Sequence, residues 1–236
     1  MSDFALIGTR KGLFTLTIDD GTFELSAPAF PGVRVSNAVV DPRDGACYAL
    51  LDHGHFGVHL HRSDDGGASW LEIAAPEYPD KPDGVSDVNP MTQQETEWAT
   101  QLGWVLEPGH PDESGVLWCG TIPGGLFRSN DRGDSWQLDE ALWNHPSRKK
   151  WFGGGYDAAG IHSICIDPRG PGRLVVGVSC GGAWRTDDGG ASWAVAATGM
   201  RADFVPDEMA YDTDTQDPHR IVRCGSAPDV LWTQHH

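Results

Sequence analysis

The sequence has no long apolar run and few basic residues. No stretch of about 18 consecutive apolar residues occurs in the 236 residues, which predicts that no helix spans a membrane. Lys and Arg number 17 against 34 Asp and Glu, so the formal net charge is −17. Phosphate backbones and anionic lipid surfaces are bound by clustered basic residues. The composition therefore predicts neither nucleic acid nor a membrane as a partner.

The sequence also shows no cysteine spacing typical of disulfides or metal sites, and no secretion signal in its first residues. The five cysteines are scattered with no Cys-x-x-Cys spacing, and residues 1–10 have neither a basic segment nor a long apolar one. Disulfide frameworks and leader peptides are typical of exported proteins. These two features predict a cytoplasmic protein with reduced thiols.

What the sequence does contain is typical of a globular chain rich in turns. Hydrophobic residues make up 39% of it, ten residues are Trp, and there are 30 Gly and 16 Pro. A chain of this length and composition can bury a sizeable core. We therefore expect a folded protein with many tight turns.

An octapeptide recurs three times along the chain, at 63–70, 129–136 and 186–193, with starts 66 and 57 residues apart. The shared pattern is [ST]-x-D-x-G-x-x-W, and a degenerate copy at 17–23 has Phe23 in the place of Trp. Internal repeats of this kind indicate a repeat architecture. The residues that define the pattern are Ser63, Asp65, Gly67, Trp70, Ser129, Asp131, Gly133, Trp136, Thr186, Asp188, Gly190 and Trp193.

The chemistry of the octapeptide predicts a hairpin turn with a structural role. The carboxylate of Asp65 can accept backbone N–H groups across the turn. Gly67 permits a positive φ angle, and Trp70 enters the following strand and packs its ring. A short apolar strand precedes each copy, so each octapeptide joins two neighbouring strands.

This octapeptide resembles the Asp-box, or BNR, repeat of sialidase-like β-propellers, and the resemblance covers nearly the whole chain. It implies an all-β fold of four-stranded antiparallel blades, with the box between the third and fourth strands. The chain would supply about four to five blades of a six- or seven-bladed propeller. We expect first and second strands of the blades at 35–40, 47–51, 102–106, 116–119, 161–166, 174–178, 220–224 and 230–233.

We predict that residues 1–236 form a single propeller domain that is incomplete at its C-terminal end. The pattern places only two strands in the last blade and lacks a first strand for blade one. Open blade edges have unpaired backbone groups. The alternative is that the propeller closes by self-association through those edges.

The resemblance places function on the face opposite the octapeptide turns. Two long segments, 76–100 and 140–160, connect blades on that face, and long ordered loops in repeat proteins are typically functional. Six histidines are expected on the same face, where clustered imidazoles indicate acid–base chemistry or a metal site. The candidate catalytic residues are Glu97, Asp157, Tyr156, His55 and His162. The candidate ligand-binding residues are Arg10, Lys11, Arg34, Trp98, Trp151, His219 and His235.

Each candidate has a chemical reason. Glu97 and Asp157 would be the two carboxylates that glycoside hydrolysis takes, with Tyr156 as a helper of the nucleophile. Arginine and lysine on the loop face could hold a carboxylate of the ligand, and tryptophan rings could stack on a sugar. Sialidases use an arginine triad, for which Arg34 is a candidate, although their Arg-Ile-Pro motif reads Arg34-Val35-Ser36 here.

The leading interpretation is a sialidase-like propeller that acts as a glycosyl hydrolase or binds a small polar or anionic ligand such as a carbohydrate. One alternative is a non-catalytic propeller that serves as a scaffold for protein interaction or assembly. A second alternative is a histidine-based, metal-dependent hydrolase. No cofactor is predicted, and a metal ion bound at the histidine cluster is kept as an alternative. The sequence does not decide whether the chain is an enzyme.

Overall fold

The computed structural model describes residues 3–236, and these are built mainly from antiparallel strands. One short α-helix, α1 (Glu140–Trp143), and three short 3-10 helices lie in the connections of this part of the chain. The 3-10 helices are Gly54–Phe56, Pro146–Lys150 and Asp207–Met209. The strands are β1 (Asp3–Thr9), β2 (Gly12–Asp19), β3 (Thr22–Leu25), β4 (Arg34–Val40), β5 (Cys47–Asp52), β6 (Val58–Ser63), β7 (Leu71–Ile73), β8 (Leu102–Pro108), β9 (Leu117–Ile122), β10 (Leu126–Ser129), β11 (Gln137–Leu138), β12 (Ile161–Ile166), β13 (Leu174–Val178), β14 (Gly182–Thr186), β15 (Ala194–Val195), β16 (Pro218–Arg223) and β17 (Leu231–His235).

The strands form five sheets that follow one another along the chain. Three sheets have four strands in simple sequential order, β4 to β7, β8 to β11 and β12 to β15, while β1 to β3 form a three-stranded sheet and β16 pairs with β17. The first strands β4, β8, β12 and β16 contact one another in succession. This is the blade arrangement of a β-propeller, and the predicted all-β fold of four-stranded antiparallel blades is confirmed.

The three octapeptide turns share one hydrogen-bond pattern. In the first turn, the Ser63 hydroxyl donates to the Asp65 carboxylate at 2.7 Å and accepts from the Gly67 amide at 2.8 Å. The amide and hydroxyl of Ser69 both donate to Asp65, at 2.9 and 2.6 Å. Each carboxylate therefore closes its own hairpin. The corresponding bonds recur at Asp131 and Asp188.

The tryptophans that end the second and third turns join neighbouring blades. The indole N–H of Trp136 donates to the Ala74 carbonyl at 2.9 Å, and that of Trp193 donates to the Asp139 carboxylate at 3.1 Å. Ala74 and Asp139 each follow the last strand of the preceding sheet. These bonds fix each blade against the one before it.

The core lies between the sheets. One cluster of buried side chains includes Trp118 from β9 together with Trp184 and Val176 from the next sheet. A second cluster includes Tyr48 and Leu60 from the β4–β7 sheet together with Leu117, Phe127 and other residues of the β8–β11 sheet. Burial of apolar area between blades therefore stabilises their stacking.

No helix in residues 3–236 is long and apolar enough to cross a bilayer.

The carboxylates of the octapeptide turns make the stability of the folded chain depend on pH. Hydrogen bonds from Ser192 and Thr186 lower the pKa of Asp188 to about 2. A carboxyl whose pKa is lower in the folded state stabilises the fold above its unfolded value, near 4, and that stabilisation is lost as the pH falls toward 2. We expect Asp188→Asn to lower the melting temperature at pH 7, and we expect the difference from wild type to shrink between pH 4 and 2.5.

The neighbouring Asp187 provides a matched control for this variant. Its carboxylate forms an exposed ion pair with Arg173 at 3.1 Å, and exposed pairs contribute little to stability. Thermal unfolding followed by circular dichroism should therefore show almost no change for Asp187→Asn. A melting difference for Asp188→Asn that stayed constant from pH 7 to 2.5 would contradict the assigned role.

Candidate functional site

Strand register places the octapeptide turns and the connecting loops at opposite ends of each sheet. In the β12–β15 sheet, Leu174 pairs with Thr186 at the turn end, while Val178 pairs with Gly182 and Ile161 at the other. In the β4–β7 sheet, Cys47 pairs with Ser63 at the turn end, and Asp52 pairs with Val58 and Arg34 at the other. The end away from the turns is called the loop face below.

A cavity of about 610 Å³ opens among the loop-face segments. It lies between the segment after α1, the turn between β13 and β14, the start of β16 and one side chain of β8. Its size is that of a typical small-molecule site. The lining residues are Trp104, Phe152, Gly153, Gly154, Gly155, Tyr156, His162, Ser179, Cys180, Phe204, Asp217, Pro218, His219 and His236.

Aromatic rings form one wall of the cavity. The centroids of Trp104 and Tyr156 lie 5.4 Å apart in an edge-on arrangement, and the Trp104 ring also meets His162 edge-on at 5.6 Å. Tyr156 and Phe204 are both exposed. Exposed rings with fixed positions offer flat apolar surfaces to a ligand.

A buried carboxylate and two imidazoles form the opposite, polar side. The side chain of Asp217 is only 7% exposed, and its Oδ1 accepts a hydrogen bond from the Cys180 amide at 3.0 Å. Its Oδ2 lies 3.1 Å from Nε2 of His219. The ring of His236 lies 4.0 Å from that of His219, centroid to centroid.

His162 lies at the inner end of the cavity in a neutral form. It is 5% exposed, and its Nδ1 lies 2.8 Å from the Ser163 hydroxyl. Burial lowers the pKa of His162 to about 4, since the charged imidazolium is disfavoured away from water. At pH 7 this residue can therefore exchange hydrogen bonds with a ligand without carrying charge.

The structure brings several of the predicted residues to this cavity. Tyr156, His162 and His219 line it. His235 is adjacent in sequence to the lining residue His236, and its Nε2 is buried without a hydrogen-bond partner among the described residues. Arg34 reaches the cavity rim, because its guanidinium lies 3.4 Å from the Tyr156 hydroxyl and 3.2 Å from Asp52.

Other predicted residues lie elsewhere on the loop face. Glu97 and Asp157 are exposed and do not line the cavity. His55 is exposed in the 3-10 turn Gly54–Phe56. Arg10 and Lys11 are exposed in the turn between β1 and β2.

The two tryptophans predicted to stack on a sugar belong to the core. Trp151 is 4% exposed and packs against Trp184, which leaves no ring face for a ligand. Trp98 is half-buried with its edge against Trp143, and its indole N–H donates to Asp87 at 2.8 Å. The rings that line the cavity come from other positions in the sequence.

Sequence reasoning missed Asp217, Trp104 and Cys180, all of which line the cavity. Cys180 lies in the connection between the second and third strands of its blade. Because the repeat places every such connection on the loop face, the sequence could have predicted Cys180 near the site. Asp217 and Trp104 lie near the starts of first strands and had no motif around them. The half-buried Glu107 on β8 was also missed, and burial raises its pKa to about 7.

The sequence is similar over part of its length to a known protein. No protein-family model matches the sequence. A segment of 112 residues is 30% identical to the Neosartorya fischeri protein named "Probable oligoxyloglucan-reducing end-specific xyloglucanase", and this segment covers 47% of the chain and 12% of that protein.

Solved structures show the same architecture. The GH74 enzyme from Niastella koreensis superimposes with a TM-score of 0.59 and 18% identity, over 97% of this chain and 30% of that one. YCF48 bound to D1 peptide superimposes with a TM-score of 0.51 and 15% identity, over 98% of this chain and 57% of that one. The chain therefore has a β-propeller fold, and it spans less than two thirds of the length of each of these proteins.

Proposed function

We propose that this chain is a saccharide-binding propeller of the glycoside hydrolase type, and that the loop-face cavity is its ligand site. The observation that carries the proposal is the pairing of an aromatic wall with a polar side in a single cavity of about 610 Å³. The name of the Neosartorya fischeri relative, a probable xyloglucanase, supports a saccharide as the ligand.

The two sides of the cavity match the two kinds of surface on a pyranose ring. A sugar presents C–H groups on its faces, which pack on aromatic rings such as Trp104 and Tyr156. It presents hydroxyl groups at its edge, which hydrogen bond to carboxylates and imidazoles such as Asp217 and His219. One ligand can therefore contact both sides at once.

Hydrolysis would require more than this cavity supplies. A glycosidic bond is ordinarily cleaved between two carboxyl groups, about 5–9.5 Å apart depending on the mechanism. Among the described residues, Asp217 is the one carboxylate that lines the cavity. Glu97 and Asp157 remain the candidates predicted from the sequence, and we propose saccharide binding as the activity of the cavity itself.

Calorimetric titration with xyloglucan oligosaccharides tests the proposal, with a sialylated trisaccharide as the anionic comparison. We expect binding in the micromolar to millimolar range, and we expect Trp104→Ala to weaken it about tenfold through the loss of ring stacking, since a tenfold change corresponds to about 1.4 kcal/mol. Trp232→Ala is the control, because Trp232 is 68% exposed on β17 and does not line the cavity.

Two further outcomes decide the question. The absence of binding to any saccharide at 10 mM, or equal affinity for wild type and Trp104→Ala, would refute the proposal. Turnover of a fluorogenic glycoside would be compared among wild type, Asp217→Asn, Glu97→Gln and Asp157→Asn. A variant that loses turnover while keeping saccharide affinity identifies a catalytic carboxylate.

A further inference from the structure

We propose that Asp217, His219 and His236 bind a divalent transition metal ion of the zinc class at the polar side of the loop-face cavity. This inference is independent of saccharide binding, because it rests only on the ligand atoms and their supports. It assigns a metal to a definite place among the loop-face histidines, which the sequence pattern alone could not do.

The three side chains present their ligand atoms to a common point. One nitrogen of each imidazole and one carboxylate oxygen lie within 4.8 Å of one another. Ligand atoms around a tetrahedral zinc ion, at bond lengths of about 2.0–2.2 Å, are roughly 3.3–3.5 Å apart. Nε2 of His219 and Oδ2 of Asp217 are already 3.1 Å apart. Small rotations of exposed His236 and His219 would complete the set.

Backbone pairing holds these residues together. Asp217 directly precedes β16 and His219 is the second residue of that strand, where the pairing with β17 shifts register between Pro218 and Arg220. The contact of 3.1 Å between Oδ2 of Asp217 and Nε2 of His219 shows that the two side chains lie on one side. His236 follows β17, which pairs with β16 at Pro218 and His235. The His236 amide also donates to the Asp217 carbonyl at 3.5 Å. The donor set is therefore fixed by the sheet as well as by side-chain packing.

Hydrogen bonds from neighbouring residues orient the side chains that would bind the metal ion. Oδ1 of Asp217 accepts from the Cys180 amide at 3.0 Å and lies 3.4 Å from the Ser179 hydroxyl, which leaves Oδ2 free to face the imidazoles. The other nitrogen of His219, Nδ1, lies 3.5 Å from the side-chain amide nitrogen of Gln234. A metal-bound His219 would donate from Nδ1, so the amide of Gln234 would turn its oxygen toward the ring. Such outer partners fix the tautomer and the ring orientation of a metal-bound histidine.

The donor chemistry selects the class of ion. Two imidazole nitrogens and one carboxylate oxygen suit zinc and its transition-metal neighbours, whereas calcium and magnesium prefer oxygen ligands. Three protein ligands leave at least one coordination position for water or a ligand atom. Since all three residues line the cavity, that position would face the cavity space.

Calorimetric titration of the full chain with Zn²⁺, in the absence of saccharide, tests the site. We expect one ion per chain with a dissociation constant in the micromolar range or below, and the same stoichiometry for Co²⁺ from its visible absorption. His219→Ala and His236→Ala should each weaken Zn²⁺ binding at least tenfold. His236→Ala is the safer variant, because this residue is exposed and its loss leaves the core unchanged.

A second histidine–carboxylate pair gives the control. His59 lies 2.6 Å from Glu72 and beside the ring of His53, away from the cavity. We expect His59→Ala to bind Zn²⁺ as wild type does. Wild-type affinity in both His219→Ala and His236→Ala, loss of binding in His59→Ala instead, or no stoichiometric binding by wild type would each overturn the assignment. None of these outcomes depends on whether the cavity binds a saccharide.

Discussion

Replacing Trp184 with alanine is expected to lower the free energy of unfolding by about 3–5 kcal/mol, as measured for buried aromatic residues. Trp184 is 1% exposed in the core between the β8–β11 and β12–β15 sheets. Its ring packs against Trp151 and His145, and its indole N–H donates to the Gly181 carbonyl at 2.7 Å. Because domains are stable by only about 5–15 kcal/mol, this loss would leave much of the chain unfolded in mild denaturant.

The hydrogen bond and the packing of Trp184 can be separated experimentally. Trp184→Phe retains a buried ring and removes the N–H donor, so we expect a smaller cost of about 1–3 kcal/mol. Urea unfolding followed by far-ultraviolet circular dichroism measures both variants. Trp232→Ala is the control, since a substitution at an exposed position is expected to change stability by about 0.5 kcal/mol or less. Equal effects at Trp184 and Trp232 would contradict the description of the core.

Gly153→Ala is expected to disrupt the part of the aromatic wall that Phe152 and Tyr156 contribute to the cavity. A Cβ atom at this position would lie 1.6 Å from the carbonyl oxygen of Tyr156, far inside van der Waals contact. The segment 152–156 would have to adopt another conformation, which would displace Phe152 and Tyr156 from the wall. We therefore expect saccharide affinity to fall more than tenfold while the sheets and their core remain folded.

Gly155→Ala is the matched control in the same loop. A Cβ atom at this position would have no neighbour within 4 Å, so we expect saccharide affinity close to that of wild type. Calorimetric titration measures the affinities, and circular dichroism checks that both variants are folded. If Gly153→Ala binds saccharide as well as Gly155→Ala does, the loop geometry described for the cavity is incorrect.

The strand pattern could be predicted from the sequence because each blade repeats the same local chemistry. The strand predicted at 161–166 is β12 (Ile161–Ile166), and that predicted at 174–178 is β13 (Leu174–Val178). A turn such as 186–193 is closed by hydrogen bonds of Asp188 and Thr186 with residues of the same turn, so the hairpin itself is specified by local sequence. The apolar strand before each turn and the short strand after it then pair antiparallel.

The site could be predicted only in part. Tyr156, His162 and His219 were predicted on the loop face, because the topology of a repeated hairpin assigns each connection to one end of the sheet, and the structure places all three in the cavity lining. Glu97 and Asp157 were expected on the same face, yet the structure places both outside the cavity lining. The face on which a residue lies follows from the direction of its strand. Whether the residue lines the cavity depends on how the two long connections pack.

The sequence by itself determined the blades, their order and the end of each sheet at which every loop lies, because these depend on local turns and on alternation along strands. Only the tertiary structure decided that Trp151 is core and Trp104 is cavity wall, and that Asp217 meets His219 and His236. Those outcomes depend on contacts between side chains that are far apart in the chain, such as Trp104 and Tyr156. The distances between such side chains are set by how whole blades stack on one another, and the sequence of a single repeat carries no information about that stacking.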